Sequence, residues 1–355
     1  MGKMNGGGVE SVVMNYYRHI DRSRLQFDFL VDSDSTLVPC DEIESLGGRI
    51  IDIPPYQHAM DYQRELQGLF GQEEWKIVHS HINALSVFPL RAAKKSGVPV
   101  RIAHSHSSFG GGKGEGVKDM MKCILKTQAL RYPTDLLACS NLAGKWLFGN
   151  NANFSVFPNA INLSKFKPNK VFRETKRRNL GISEDTFVVG HIGRMVPQKN
   201  HAFLLDVFSA LLEKNPSSLL LLAGEGPLIN DIKVKAADLG DRVRFLGRRN
   251  DVSELYQVFD AFCLPSVYEG LPVVGVECQA SGVPILASSA VTAETAFTSL
   301  MEFEPLTSSP GEWAAHLIAM KGNVLSQKDV ESLNKYDIVD AASRLTDFYF
   351  KSLER

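Results

Sequence analysis

Short apolar runs, many of them β-branched, alternate with helix-period segments along almost the whole of this chain. That alternation restricts it to a parallel α/β architecture. In the first half the strand candidates are residues 27–31, 49–53, 76–79, 98–104, 135–139 and 155–157. In the second half they are 187–192, 219–223, 242–246, 261–264 and 284–287. Val9, Val12, Val13, Tyr16, Tyr17 and Ile20 share one face of a first helix. Ile338, Ala341, Ala342, Leu345, Phe348 and Tyr349 mark a last helix over about 337–353. A polar connection, 162–184, separates the halves. The 355 residues suit two domains, each Rossmann-like. In open sheets of this kind ligands bind beyond the carboxyl ends of the strands.

Composition excludes several classes. With 44% apolar and 22% charged residues the chain is an ordinary globular protein. A net charge of -1 leaves no global attraction to nucleic acid, so any anion site must be local. Cys40, Cys123, Cys139, Cys263 and Cys278 lack CxxC spacing, which points to a reducing cytosol and no zinc site. No apolar run approaches the roughly 20 residues of a membrane span, and no signal peptide opens the sequence.

Four segments follow predicted strands and carry chemistry together. Gly193-Arg194-Met195-Val196-Pro197-Gln198-Lys199 offers a planar cationic fork and a point charge that can converge on one diphosphate. The alternative is a solvated loop with surface cations. Leu222-Ala223-Gly224-Glu225-Gly226-Pro227 permits a tight turn and close ligand approach, or is a simple strand-to-helix turn. Val243-Arg244-Phe245-Leu246-Gly247 can present backbone groups to a base. Last comes Glu269-Gly270-Leu271-Pro272-Val273-Val274-Gly275-Val276-Glu277. Here Pro272 is expected at the first helical position, and the free N–H groups and dipole of a helix start favour an anion. A phosphate there, with Glu269 and Glu277 receiving hydroxyls on either side, suits a nucleotide-sugar.

In this order the segments resemble the retaining glycosyltransferases of the GT-B fold, family 4. The resemblance spans essentially the whole chain and is strongest over about 156–287. Phe157-Pro158-Asn159-Ala160-Ile161-Asn162 is similar to that family's Pro-Asn-Gly-Ile-Asp linker, with Ala for Gly and Asn for Asp. The resemblance implies two Rossmann-like domains facing a cleft. The first is 1–160 completed by a C-terminal helix 337–355 that crosses back, and the second is a donor domain over 161–336. It implies that Arg194, Lys199, Gly270, Leu271 and Gly8 hold the donor diphosphate. Glu277 takes the ribose, and Leu246 and Gly247 lie by the base. Glu269 and a histidine, His104 or His106, act at the transferred sugar. With cations on the leaving diphosphate, neither metal nor other cofactor is expected.

Gly6-Gly7-Gly8-Val9-Glu10 is similar to the family's Gly-Gly-x-Glu loop, with a phosphate-holding reading and a mobile-terminus reading both open. Only five residues precede Gly6, so the first strand is expected to be missing. His79-Ser80-His81 and His104-Ser105-His106 each end a strand; no Cys or carboxylate cluster accompanies them, so metal is not expected. Lys113, Lys118, Lys122 and Lys126 recur near a helical pattern that suits either an anionic membrane surface or simple solubility.

The expected function is transfer of a sugar, with retention, from a nucleotide-sugar (a UDP-sugar foremost) to a glycan or lipid-linked acceptor in cell-surface or exopolysaccharide biosynthesis. The expected place is the cytoplasm, with peripheral contact at the inner face of the cell membrane. The alternatives are a GT-B-fold sugar-nucleotide epimerase and a non-catalytic partner that keeps the fold.

Overall fold

The computed structural model describes residues 1–107 and 124–355. The chain divides into two compact units, Met1–Ala160 with Ile338–Arg355, and Ile161–Asp337.

In the first unit β1 (Asp28–Asp32) pairs in parallel with β2 (Arg49–Ile53). A separate parallel sheet has the order β3 (Ile77–Ser80), β4 (Val100–Ser105), β5 (Asp135–Ala138), β6 (Ser155–Val156). No strand precedes β1 among the described residues, but Gly2 makes a single parallel bridge to Val31. Met4 is buried there, and the Met1 ammonium donates to the Leu30 carbonyl at 2.7 Å. The helix Ile338–Leu353 completes the unit: its buried Ile338, Ala341, Ala342, Leu345 and Tyr349 recur at helical spacing. Phe348 meets Phe157 edge-on at 5.6 Å, and Tyr349 meets Phe27 at 6.2 Å.

The second unit carries one six-stranded sheet, parallel throughout. It comprises β7 (Phe187–Ile192), β8 (Ser218–Ala223), β9 (Val243–Gly247), β10 (Ala261–Leu264), β11 (Ile285–Ser288) and β12 (Met301–Glu304). The spatial order is β12-β11-β10-β7-β8-β9. Winding therefore reverses between β7 and β10, and a crevice opens past their carboxyl ends. β7, β8, β10 and β11 are buried at every position, as strands covered on both faces must be. The sequence did not reveal β12, where only Met301 is buried and two of four residues are glutamates.

The polar connection 162–184 is more than a linker. It forms the helices Leu163–Phe166 and Lys170–Asn179, and the latter sends Arg173 and Arg177 to Asp260 at 2.5 and 3.2 Å. Arg177 is almost wholly buried, a position a cation keeps only with a partner.

Candidate active site

In the second unit, three loops at the carboxyl ends of β7, β8 and β9 are stitched together. Met195 N–H donates to the Glu225 carbonyl at 2.8 Å, Gly193 N–H to Ala223 at 3.0 Å, and Gly224 N–H to Gly247 at 2.8 Å. Gly224 has φ +132, and a Cβ there would lie 2.0 Å from the Gly193 carbonyl oxygen. A Cβ at Gly226 would come within 2.4 Å of the Met195 carbonyl oxygen. These two glycines bring backbone to backbone. The sequence had suggested approach to a ligand; their role here is to seat the Arg194–Lys199 loop.

That loop turns through a short 3-10 segment, Pro197–Lys199, and Asn200 in the left-handed region. It is tied across the β7–β10 crevice: Val267 N–H donates to the Gln198 carbonyl at 2.8 Å, and the Gln198 amide to Tyr268 at 3.0 Å. Lys199 Nζ donates to Glu269 Oε1 at 2.6 Å. Side-chain exposures of 14% and 9% make this a mostly buried pair. Arg194 is exposed and makes no ion pair among the described residues. Lys199 and Glu269, 70 positions apart, thus meet in the crevice, and Arg194 stands on the same loop as Lys199.

Helix Val273–Ala280 starts one residue later than expected, with Pro272 as its cap at φ -65. Gly270 and Leu271 precede it and are buried. Glu277 lies one helical turn in, and its Oε2 accepts from the Tyr256 hydroxyl at 2.9 Å. Burial raises the Glu277 carboxyl to about 7, against a lowering by the Tyr256 bond. Leu246 and Gly247 end β9, Gly247 at φ +63. Sequence reasoning missed two neighbours, His191 on β7 and His201 behind Lys199. Their rings are 4.7 Å apart, and burial drives both toward the neutral form, His201 to about 4. His191 Nε2 and both His201 ring nitrogens are buried without a partner among the described residues. Their signal was proximity in sequence to Gly193 and Lys199, but only the fold shows that they are buried.

In the first unit, Gly8 opens the helix Gly8–His19 behind a glycine loop that is pinned internally. The Glu10 carboxylate accepts from the N–H groups of Asn5 (2.9 Å), Gly6 (2.6 Å) and Gly7 (2.7 Å). Glu10 thus closes the part of the glycine loop that precedes the helix, taking the N–H groups of Asn5, Gly6 and the cap residue Gly7.

The two His-Ser-His triplets come together. Ser80 pairs with Ala103, so alternation sets His79, His81, His104 and His106 on one face at the ends of β3 and β4. His79 Nε2 lies 3.1 Å from His104 Nδ1, and His81 Nδ1 lies 2.9 Å from His106 Nε2. Burial pushes all four rings down, His79 and His106 to about 3, so they are neutral at pH 7. Nitrogens of His79, His81 and His104 lie within 4.8 Å of one another, a spacing a metal ion can bridge. The rings are bonded to one another and to Tyr349, while His104 Nε2 and His106 Nδ1 are buried without a partner among the described residues.

Lys113, Lys118 and Lys122 lie outside the described residues, as does Cys123. Lys126 sits 5.1 Å over the Trp146 ring, a cation–π contact within the unit. No disulfide joins the described cysteines; Cys139, Cys263 and Cys278 are buried and Cys40 is exposed.

Comparison with known proteins gives the family. Residues 172–299 match the family model described as glycosyl transferases group 1, and 7–159 match a glycosyl transferase 4-like domain. A putative glycosyltransferase, EpsF of Bacillus subtilis, is 38% identical over 81% of this chain and 78% of its own length. The chain is a group 1 glycosyltransferase. The galactosyltransferase of Escherichia coli that acts from UDP-Gal on a GlcNAc-diphosphoundecaprenol is 32% identical over 63% of this chain and 60% of its own. Among solved structures, Anabaena HepE in complex with UDP and glucose superposes with a TM-score of 0.80 at 18% identity, over 98% of both chains. That likeness gives this glycosyltransferase the GT-B fold. Its family makes it an enzyme of the hexosyltransferase type, EC 2.4. No described helix is long and apolar enough to cross a membrane.

Proposed function

We propose that this glycosyltransferase moves a hexose, with retention of anomeric configuration, from a UDP-sugar to a lipid-linked or growing glycan acceptor at the cytoplasmic face of the membrane, in exopolysaccharide assembly. The single observation that carries the reading is the convergence of Lys199 on Glu269 in the β7–β10 crevice, with Arg194 exposed on the same loop. Preset cations meet the charge that develops on a departing nucleoside diphosphate, and aiming them in advance removes the need to reorganise solvent. Glu269 holds hydroxyls of the transferred sugar, Glu277 the ribose, and the Leu246–Gly247 backbone the base. Gly270 and Leu271 lie against the diphosphate at the helix start, Gly8 faces phosphate from the glycine loop, and His104 or His106 meets the sugar. The Escherichia coli relative, named for transfer to a GlcNAc-diphosphoundecaprenol, supports the lipid-linked acceptor class.

The direct test is an assay of transfer from a panel of UDP-, GDP- and ADP-hexoses to polyprenyl-diphosphate sugars, with products resolved by anomer. Turnover with UDP-hexoses and an α-linked product from an α-linked donor is the expected result; inversion, or epimerisation of the free donor, overturns the reading. In the same assay, prior dialysis against a chelator is expected to leave kcat within about twofold, because Lys199 and Arg194 supply the charge that a metal supplies elsewhere.

Glu277 adds a pH signature. Its carboxyl sits near 7 in the folded protein, above the ordinary 4.5. A raised acid keeps its proton longer in the folded state, so its contribution is fully present below about 4.5 and is lost as pH rises toward 7. Nucleotide binding runs the other way, since ribose hydroxyls donate to the ionised form. UDP affinity is therefore expected to weaken as pH falls below about 7, with proton release on binding at pH 6.5. Calorimetry in buffers of different ionisation heat measures that release, and E277Q is expected to abolish it.

A further inference from the structure

The histidine face of the first unit carries a proton order that can be read from one end. Tyr349, on the helix Ile338–Leu353, is buried, and burial raises its phenol well above the ordinary value, so it keeps its proton. A buried O–H needs an acceptor, and leaving it unmet is costly. The Tyr349 hydroxyl lies 2.6 Å from His79 Nδ1, its one hydrogen-bond partner among the described residues. Tyr349 therefore donates, and a neutral His79 that accepts at Nδ1 carries its own proton at Nε2. That Nε2–H faces His104 Nδ1 at 3.1 Å, which must then accept. His104 is left with its proton on Nε2, and this atom is buried without a partner among the described residues. The rings of His79 and His104 lie nearly parallel, 6° apart, so the orientation is held as well as the tautomer. The neighbouring pair, His81 and His106, has no such outer donor among the described residues, which leave either direction of its 2.9 Å bond open.

We propose that Tyr349 and His79 are positioning residues that lock His104 as the Nε2–H tautomer, a preset hydrogen-bond donor to a hydroxyl oxygen of the bound donor sugar. This rests on the reading that one of these histidines meets the sugar, and it selects His104 over His106. Nothing covalent changes: the chain fixes which ring atom bears hydrogen, and so makes His104 a donor rather than an acceptor.

The test begins with the unmodified, tag-free protein. Long-range proton–nitrogen NMR of the histidine side chains assigns each tautomer, with H104A identifying the His104 signals. The expected result is a protonated Nε2 and a bare Nδ1 on His104; a protonated Nδ1 overturns the proposal outright. Y349F is then expected to mix the two forms and to lower kcat roughly 10- to 100-fold, the usual effect of losing an orienting partner. The KM for the donor and the dissociation constant for UDP should stay unchanged. H79L should match Y349F, while H79Q, whose amide N–H can still reach His104 Nδ1, should recover most of the loss. Two failures are distinguishable. If H104A turns over as fast as the parent, the placement of His104 at the sugar is wrong. If H104A is crippled but Y349F and H79L are not, His104 acts without the proposed ordering.

Discussion

Replacing Lys199 by alanine is expected to lower kcat/KM for the nucleotide-sugar about 10²- to 10³-fold, the range seen when one preorganised charge-stabilising donor is removed. The loss should fall mainly on kcat, because charge on the leaving diphosphate grows in the transition state. An alternative role for Lys199 is only to neutralise Glu269, its partner at 2.6 Å. The double variant separates the two. UDP has no transferred sugar for Glu269 to hold, so if Lys199 serves Glu269 alone, K199A/E269A should recover UDP affinity, since no buried carboxylate is left unpaired. If Lys199 serves the diphosphate, the double variant should bind UDP as weakly as K199A. UDP affinity of the single and double variants, with steady-state kinetics alongside, decides. The second outcome is expected, with UDP bound at least tenfold more weakly by K199A.

The second large effect is expected from Gly224→Ala, at a residue that touches no ligand in the scheme above. Its φ of +132 is one that L side chains rarely adopt, and the new Cβ would sit 2.0 Å from the Gly193 carbonyl oxygen. Both are backbone constraints, so no flexible side chain can move aside. The loop must shift, and the Gly224–Gly247 and Met195–Glu225 bonds shift with it. A loss of about 3 kcal/mol or more is expected from strain and lost pairing together. Thermal or urea unfolding measures it. UDP binding should fail even under conditions where the variant is folded, because Arg194 and Lys199 are carried by the displaced segment. Normal stability together with normal UDP affinity would refute the seating role of Gly224.

These two variants also show what could be read from the residues in order. Lys199 and Glu269 were legible as a cation and a carboxylate on loops after predicted strands; that they pair was not, because the strand order that sets β7 beside β10 is written in neither segment. The strands themselves were legible as apolar runs, since both faces of β7, β8, β10 and β11 are buried. Gly224 was noticed for another reason, as room for a ligand; that it makes room for Gly193 depends on a contact 31 positions away in sequence. Asp260 gave no hint that it holds Arg173 and Arg177, so their helix read as a linker. Glu10 looked like one residue of a motif, while its three backbone bonds to the glycine loop depend on local geometry that periodicity does not carry. The histidine triplets were visible, but whether they face each other depends on strand register, and a slip of one residue would turn either pair away.

The order of synthesis gives the helix Ile338–Leu353 a further consequence. It belongs to the unit that starts at Met1, and the whole of the other unit is encoded between. On the ribosome the second unit can therefore mature while the first still lacks Tyr349, Phe348 and the apolar face beside them. A nascent first unit must wait through the translation of 177 residues, Ile161–Asp337, with that seam uncovered. A stop codon within the last helix would cripple the unit made earlier, Met1–Ala160, and leave Ile161–Asp337 whole.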